Sequence, residues 1–167
     1  MVAAHDLALA GHRVTVFEAA ERAGGMLALG IPAFRLPPEV LEQDIEAIEA
    51  LGVEFRLGEP VDEARAAQIR AEYDAVLLAC GAQQPLPLGV PGGDLQRVHQ
   101  ALPLLKRVNS GERVALGPRV AVIGGGDSAV DAARAARRCG GENVVIAYRR
   151  SRAEMPAREY ELREAEE

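Results

Sequence analysis

Three consecutive glycines, Gly124, Gly125 and Gly126, lie between an apolar run and an alanine-rich segment. The sequence VAVIGGGDSAVDAARAARRCGGENVVIAYRRSR, residues 120–152, predicts a strand, a glycine turn, a helix, a second strand and then a group of arginines. Glycines let backbone N–H groups approach a diphosphate closely, and a helix N-terminus adds a favourable positive dipole. This order of elements predicts a unit that binds a dinucleotide.

The arginines indicate which dinucleotide is bound. In an NAD site, a carboxylate about 20 residues beyond the glycines accepts the ribose 2′-hydroxyl. Here Ala147 and Tyr148 occupy that place, and Arg149, Arg150 and Arg152 follow. A carboxylate would repel a 2′-phosphate, whereas a guanidinium binds it with two hydrogen bonds. The pattern favours NADP(H); the alternative is a solvated surface run beside the acidic tail.

A second, partial pattern of this kind lies at the amino end. Residues 2–10 predict a helix that ends at Gly11, and residues 13–17 predict a strand that ends at Glu18. This is the order of the back half of a dinucleotide-binding unit, and counting back about 20 residues from Glu18 places the glycine loop before Met1. We therefore expect Glu18 to bind a ribose; the alternative is an exposed acid at a strand end.

The connection after Glu18, RAGGMLALGIPAFRLPPEV at residues 22–40, is too long and too rich in glycine and proline for a simple linker. Gly24 and Gly25 permit close approach of the backbone to a ligand. Arg35 is a single cation in an apolar, proline-stiffened loop, which suits a second phosphate; alternatively it is a surface arginine.

The rest of the chain predicts alternating helices and strands. A proline- and glycine-rich crossing at residues 85–93 is the candidate domain boundary. The predicted elements are a helix from Pro38 to Leu51, a strand at 53–57, a helix at 62–72, a buried strand at 74–79 leading into Cys80, a short helix at 101–108 and an acidic helix at 157–167.

Composition limits the possible partners and the location. Hydrophobic residues make up 49% of the 167 residues, aromatic residues make up 4% and Trp is absent, so we expect an aliphatic core. The net charge of −6 argues against nucleic acid and against an anionic membrane surface. No apolar run reaches about 18 residues and no leader is evident, so we expect a cytoplasmic protein. Cys80 and Cys139 are expected to be reduced, buried thiols.

Four segments together resemble one family. They are GGMLALGIPAFRLP (24–37), YDAVLLACGA (73–82), GGGDSAVDAARAARR (124–138) and YRRSRAEMPA (148–157). They are similar to the glutamate synthase small (beta) subunit family, whose FAD/NADPH module is shared with dihydropyrimidine dehydrogenase and ferredoxin-linked NADPH oxidoreductases. The resemblance covers essentially the whole chain.

The resemblance implies an α/β fold with two dinucleotide-binding (Rossmann-like) units of the two-domain flavoprotein type, both incomplete. Residues 1–110 would be a partial FAD-binding domain that lacks its first strand and glycine loop. Residues 111–167 would be the amino-terminal half of an NADPH-binding domain. The chain is thus expected to be an internal fragment of a larger protein.

The resemblance also implies roles for individual residues. In the FAD-binding domain, Glu18 would hold the ribose, Gly25 and Met26 would line the flavin nucleotide, Arg35 would contact the pyrophosphate and Val61 would flank the adenine. In the NADPH-binding domain, Gly124, Gly125, Gly126, Asp127 and Ser128 would surround the pyrophosphate, while Arg149 and Arg150 would bind the 2′-phosphate, with Arg152 a further candidate.

The function implied by the resemblance is NADPH-dependent reduction of FAD, with electrons passed to iron–sulfur clusters or a larger catalytic subunit. The clusters are expected in the parent protein or its partner, not in this chain. Hydride transfer between two cofactors requires alignment more than acid–base chemistry, so no catalytic side chain is predicted. The alternative is a non-catalytic NADP(H)-binding or interaction fragment without flavin.

Overall fold

The computed structural model describes residues 1–166 and confirms the α/β fold class. Its strands form two parallel pairs, and the chain forms two compact units. The elements are α1 (Val2–Leu9), β1 (Thr15–Phe17), α2 (Met26–Leu29), α3 (Pro38–Glu49), β2 (Glu54–Arg56), α4 (Glu63–Glu72), α5 (Ala101–Asn109), β3 (Arg119–Ile123), α6 (Asp127–Arg138), β4 (Asn143–Ala147) and α7 (Glu159–Glu166), with a short 3-10 helix at Arg152–Glu154.

The first unit comprises Met1–Ala28 and Ala33–Gln83. Strand β1 pairs in parallel with β2, and Val16 lies opposite Phe55 in the register. Its buried cluster consists of Ala4 from α1, Ile48 from α3 and Val53 just before β2. Helices α1 and α3 and the strand pair of this unit therefore share one small core.

The predicted buried strand at residues 74–79 is wrong. These residues form no strand, and the exposed fractions are 44% for Val76, 66% for Leu77 and 87% for Leu78. A strand needs a hydrogen-bonded neighbour, and within residues 1–166 the sheet of the first unit consists only of β1 and β2. An apolar run without a strand beside it remains extended and exposed.

The expectation of buried thiols is also wrong. Cys80 is exposed because it continues the exposed segment at 74–79, and Cys139 is half-buried at the end of α6. Both cysteines are free of disulfide bonds.

The second unit comprises Leu29–Pro32 and the chain from Gln84 onward. The side-chain amide of Asn109, which ends α5, donates hydrogen bonds to the carbonyls of Leu29 at 3.1 Å and Ile31 at 2.9 Å. These two bonds attach the short segment at Leu29–Pro32 to α5.

Strands β3 and β4 pair in parallel over five residues, from Arg119 opposite Asn143 to Ile123 opposite Ala147. Half-buried and exposed side chains alternate along both strands. On the half-buried side, Ile146 packs against the fully buried Val130 of α6. The alternation places α6 on one side of the strand pair.

Small side chains allow α6 to approach these strands closely. Its buried positions are mostly alanines: Ala129, Ala132, Ala133, Ala135 and Ala136. This is the aliphatic, alanine-packed core that the composition predicts. None of the described helices, which lie within residues 1–166, is long and apolar enough to cross a membrane.

The compact units meet in sequence at Gln83 and Gln84, close to the predicted crossing at residues 85–93. The assignment of cofactor-binding domains to residues 1–110 and 111–167 stays a prediction.

Candidate functional site

The glycine turn between β3 and α6 is built by backbone geometry that other residues adopt poorly. Gly124 has a φ of 145°, and its N–H donates a 3.0 Å hydrogen bond to the carbonyl of Ala147 at the end of β4. A Cβ on Gly124 would lie 3.1 Å from the Cβ of Ala129. The first glycine therefore makes the sharp turn and lets α6 begin close to the strands.

The next two glycines leave room at the start of α6. A Cβ on Gly125 would lie 2.6 Å from the ring of Tyr148, whereas a Cβ on Gly126 would meet no atom within 4 Å. Gly126 caps α6 without a side-chain hydrogen bond. Among residues 1–166, the N–H groups of Gly126, Asp127 and Ser128 have no acceptor. Unpaired N–H groups at a helix N-terminus can bind a phosphate.

The chain returns to this turn after β4. We call residues 151–158 the return segment. The N–H of Ala157 donates to the carbonyl of Gly125 at 3.0 Å, and the N–H of Arg158 donates to Oδ1 of Asp127 at 3.2 Å. No sequence signal predicts these contacts, because they join residues that are about 30 positions apart and follow no local period.

The three candidate arginines divide into a pair and a single residue. Arg149 and Arg150, the arginine pair, are exposed at the end of β4, and no acid of residues 1–166 contacts them. Arg152 instead donates to Glu159 at 3.0 Å and to Glu166 at 3.0 Å. The arginine pair is available to an incoming anion, whereas Arg152 is engaged by two carboxylates of α7.

The charges around Arg152 stabilise one another. Hydrogen bonds from Arg152 hold the pKa of Glu159 and that of Glu166 below the usual range of a carboxyl. The same hydrogen bonds, first the one to Glu166 and then those to Glu159, raise the pKa of Arg152 above its ordinary value. At neutral pH all three groups are charged.

In the first unit, Glu18 lies directly after β1. Its Oε1 accepts a 2.9 Å hydrogen bond from the N–H of Ala20, and its backbone carbonyl accepts one of 3.0 Å from the N–H of Glu59. The second bond brings the segment before Val61 close to Glu18. Val61 is 46% exposed, so its side chain is open to a flat ligand such as an adenine.

The glycine pair in the long loop is attached to a different element. Gly24 has a φ of 111°, and a Cβ there would lie 2.8 Å from Leu41 of α3. Gly25 has a φ of 54° with open space beside it, and the half-buried Met26 begins α2. Arg35 is half-buried in the same unit. In this unit, a backbone hydrogen bond connects Glu18 to the segment before Val61. The glycine pair instead lies against α3, through the close approach of Gly24 to Leu41.

Sequence reasoning missed a cluster around Phe17. The ring of Tyr73 meets Phe17 edge to face at 6.0 Å, and the guanidinium carbons of Arg56 and Arg65 lie 5.4 and 5.2 Å from the Phe17 centroid. Cations are attracted to the face of an aromatic ring. The cluster fixes the strand end immediately before Glu18, and no sequence signal joins its members.

In residues 1–166, no three His, Cys, Asp or Glu side chains come together as a possible metal site.

Comparisons with known proteins identify the family and the fold of the chain. The family model described as pyridine nucleotide-disulphide oxidoreductase matches residues 1–167. The chain is 45% identical over 98% of its length to the NADP(+)-dependent formate dehydrogenase subunit beta of Moorella thermoacetica, and it covers 24% of that protein. It is 42% identical over its whole length to a putative glutamate synthase [NADPH] small chain of Cereibacter sphaeroides, and it covers 43% of that protein.

Among solved structures, FprA from Mycobacterium tuberculosis (the His57Gln mutant) matches 97% of the chain at a TM-score of 0.79 and 23% identity. The chain covers 43% of that structure, and the likeness supports the fold. The curated relatives confirm the resemblance to the glutamate synthase small chain and are oxidoreductases. The whole-length match of the family model shows that the chain belongs to the pyridine nucleotide-disulphide oxidoreductase family.

Proposed function

We propose that the protein containing this chain is an NADPH-dependent FAD oxidoreductase, which takes a hydride from NADPH onto FAD and passes electrons to iron–sulfur clusters or to a partner subunit. The observation that carries this proposal is the pairing of a glycine turn with unengaged N–H groups and an exposed arginine pair within one unit. A pyrophosphate and a 2′-phosphate need these two kinds of donor.

The second unit would bind NADP(H). The N–H groups of Gly126 and Ser128, with the positive end of α6, would hold the pyrophosphate. Arg149 and Arg150 would bind the 2′-phosphate. Arg152 would have to release both carboxylates of α7 to contact the same phosphate.

The steric fit supports an extended ligand over this turn. Gly126 leaves open space where another residue would place a Cβ, and Gly124 holds the positive φ that the turn requires. A larger side chain at position 126 would occupy the space in which a phosphate approaches the N–H groups. The donor set and the space therefore fit the same ligand.

The first unit would bind FAD. The carboxylate of Glu18 would accept hydrogen bonds from the ribose hydroxyls, while Val61 would flank the adenine. Gly25 and Met26 would line the flavin nucleotide, and Arg35 would contact its pyrophosphate. When bound, FAD supplies an acceptor of two electrons that can release them singly.

No side chain of this chain is assigned an acid–base role. Transfer of a hydride between two cofactors depends on how they are held, since the two reacting atoms must be aligned and water must be excluded. The residues named above would act by binding and orientation.

The names of the relatives support a partner. One is a subunit beta and another is a small chain, so each belongs to a larger assembly. We propose a larger catalytic subunit or an iron–sulfur acceptor as the partner, with the clusters lying outside this chain.

A second candidate is an NADP(H)-binding module without flavin chemistry. Two observations favour it. In the second unit, the glycine turn and the arginine pair lie on consecutive elements, whereas in the first unit the apolar segment at 74–79 is exposed. In this case the second unit would act alone, as a binding site for the coenzyme or a partner.

One experiment separates the two candidates. We expect the purified protein to carry flavin absorbance and to reduce an artificial dye with NADPH in preference to NADH. Anaerobic addition of NADPH should bleach the flavin band. Protein that binds NADPH but contains no flavin and reduces no dye would establish the binding module instead.

A further inference from the structure

The return segment connects the arginine pair to the glycine turn, the two places in the second unit where NADP(H) is proposed to bind. At its carboxyl end, the N–H of Ala157 donates to the carbonyl of Gly125 in the glycine turn, and the N–H of Arg158 donates to the Asp127 side chain at the start of α6. Its amino end, Ser151, directly follows the arginine pair. The arginine pair therefore lies between two attachments to the glycine turn, the pairing of β3 with β4 on one side and residues 151–158 on the other.

Local hydrogen bonds give the return segment a defined shape. The backbone N–H and the hydroxyl of Ser151 both donate to Oε2 of Glu154, at 3.1 and 2.7 Å, in a capping box around the 3-10 helix. The hydroxyl of Tyr148 donates to the carbonyl of Glu154 at 3.3 Å. The ring of Tyr148 also covers Gly125. The segment is thus a built turn rather than a loose linker.

Arg152 attaches this turn to α7. Its Nε donates to Glu166 at 3.0 Å, and its Nη1 donates to Glu159 at 3.0 and 3.3 Å. Because these two acids are on one helix, a single guanidinium joins the return segment to both ends of α7.

Helix α7 is itself fixed to α6. Leu162 is buried against Val130 in the core cluster. Arg134 of α6 pairs with Glu161 at 3.2 Å and with Glu164 at 2.8 Å. Arg134 and Glu161 are nearly buried, so losing either partner would leave a buried charge without compensation. Arg152 is therefore attached to a helix that packs on α6.

We propose that Arg152 is a positioning residue for the coenzyme: held by Glu159 and Glu166, it fixes the arginine pair at the distance from the glycine turn that one NADP(H) molecule requires. This inference rests on the proposed NADP(H) binding and assigns Arg152 a role different from direct contact with the 2′-phosphate. A preorganised site binds more tightly because less freedom is lost on binding.

The sign of one effect distinguishes positioning from direct contact. If Arg152 binds the 2′-phosphate directly, removing the two carboxylates frees its guanidinium and removes negative charge near an anion, so NADPH binds more tightly. If Arg152 is a positioning residue, removing the carboxylates loosens the return segment, so NADPH binds more weakly. The loss of negative charge alone would therefore raise the affinity for NADPH, whereas the loss of positioning would lower it.

The experiment measures dissociation constants of NADPH for the whole protein by titration calorimetry. Arg152→Gln and the double variant Glu159→Gln with Glu166→Gln should each weaken binding about fivefold, since exposed ion pairs contribute about 1 kcal/mol or less each. Arg152→Lys should fall between wild type and Arg152→Gln because it keeps the charge without the fork of donors.

A control removes one negative charge elsewhere in the second unit, which is half of the change made in the double glutamate variant. Glu112 is an exposed acid that follows α5 and pairs with Arg107 of that helix. Neither residue contacts the return segment. Glu112→Gln should leave the dissociation constant of NADPH unchanged. This control subtracts the general effect of one negative charge on the binding of an anion.

A further variant tests whether Arg152 acts through the arginine pair. When Arg149→Ala and Arg150→Ala are already present, adding Arg152→Gln should have almost no further effect. A purely structural role would instead give the same loss in both backgrounds. All titrations are made well below the thermal midpoints of the variants, and the glutamate variants carry the test if Arg152→Gln does not fold.

The outcomes are distinct. Tighter or unchanged NADPH binding in the double glutamate variant overturns the positioning role, as does an additive effect of Arg152→Gln in the absence of the arginine pair. If the wild-type protein binds no NADPH, the proposed function is overturned, and the positioning role that rests on it is overturned as well.

Discussion

Each of the two units contains candidate residues for binding a dinucleotide, but these residues are arranged differently along the chain. In the second unit, β3, the glycine turn, α6, β4 and the return segment follow one another between residues 119 and 158. In the first unit, the candidate residues come from separate places: Glu18 at a strand end, Gly25 in a loop and Val61 before α4. A site formed by consecutive elements has fewer long loops to order, so its geometry is more local and more fixed.

The same difference appears in two apolar runs. Residues 119–123 become β3 because β4 lies beside them in register. Residues 74–79 are at least as apolar, yet they are exposed and pair with no strand among residues 1–166. Apolar sequence creates the tendency to form a strand, but a neighbouring strand must supply the hydrogen bonds.

The largest effect is expected when the arginine pair is removed. This change tests whether the second unit uses the arginine pair to select NADPH over NADH. Arg149→Ala with Arg150→Ala should weaken NADPH binding about a hundredfold or more, since each charge-assisted hydrogen bond contributes about 1.5–3 kcal/mol. Binding of NADH, which has no 2′-phosphate, should change little. Titration with both coenzymes measures the ratio of the dissociation constants of NADPH and NADH.

The control for this prediction is Arg113→Ala, which removes an exposed arginine of the same unit away from β4. It should leave the ratio unchanged. An equal loss of NADPH and NADH affinity in the double variant would show that the arginines support the fold and do not recognise the 2′-phosphate.

Glycine substitutions compare the two units directly. Gly125→Ala places a Cβ 2.6 Å from the Tyr148 ring, so it should cost about 1–3 kcal/mol of folding free energy and weaken NADPH binding. Gly25→Ala meets open space but keeps a φ of 54°, so it should cost roughly 1–2 kcal/mol. Denaturant unfolding and coenzyme titration measure the two effects.

Gly126→Ala separates binding from stability. Its φ of −91° suits any residue and its Cβ would meet no atom, so unfolding should change little. The added methyl group would nevertheless occupy the approach to the N–H groups of α6, so NADPH binding should weaken. Unchanged NADPH binding in this variant would place the pyrophosphate elsewhere.

The sequence predicts the local parts of this structure well. The glycine turn, α6 and β4 were all predicted, because strand alternation, glycines and alanine spacing are local signals. The contacts of Ala157 with Gly125, and the engagement of Arg152 by α7, were not predicted. Both depend on how the chain returns after β4, which no repeating pattern records.

The first unit shows a different limit. Glu18 was located at the end of β1 from its spacing alone, and the structure places it there. The cation–aromatic cluster at Phe17 was missed because its arginines, Arg56 and Arg65, come from distant elements. Tertiary contacts also decide the state of residues 74–79, for which the local pattern gave the wrong answer.

A substitution at Glu18 tests whether the first unit binds its own cofactor. Glu18→Gln keeps an oxygen to accept from Ala20 but removes the charge that favours ribose hydroxyls. FAD affinity should fall about tenfold, since a hydrogen bond to a charged group contributes about 1.5–3 kcal/mol. The flavin content of purified protein and FAD titration of the apoprotein measure this.

Glu49→Gln, an exposed acid on α3, is the matched control and should leave FAD binding unchanged. NADPH binding should be the same in both variants if each unit binds its own cofactor. Unchanged FAD affinity in Glu18→Gln would mean that Glu18 is an exposed strand-end acid and that the ribose lies elsewhere.

The smallest expected effect is the pH dependence of the ion pairs that Arg152 makes. Because Arg152 lowers the pKa of Glu159 and of Glu166, the stabilisation is fully present above the unfolded carboxyl value of about 4.3 and is lost as the pH falls through the lower folded values. The stability difference between wild type and Arg152→Gln should thus be constant from about pH 5 to pH 8 and disappear in stronger acid.

Carboxyl titration by NMR measures the same linkage residue by residue. In Arg152→Gln, the pKa of Glu159 and of Glu166 should rise towards the ordinary value of a carboxyl. Glu112, whose pKa is lowered by Arg107, should not change. If the pKa of Glu159 stayed low without Arg152, its other partner, Arg163, would be the main cause. Since positioning by Arg152 requires both carboxylates to be charged, the return segment should remain attached to α7 at every pH at which the coenzyme carries its full phosphate charge.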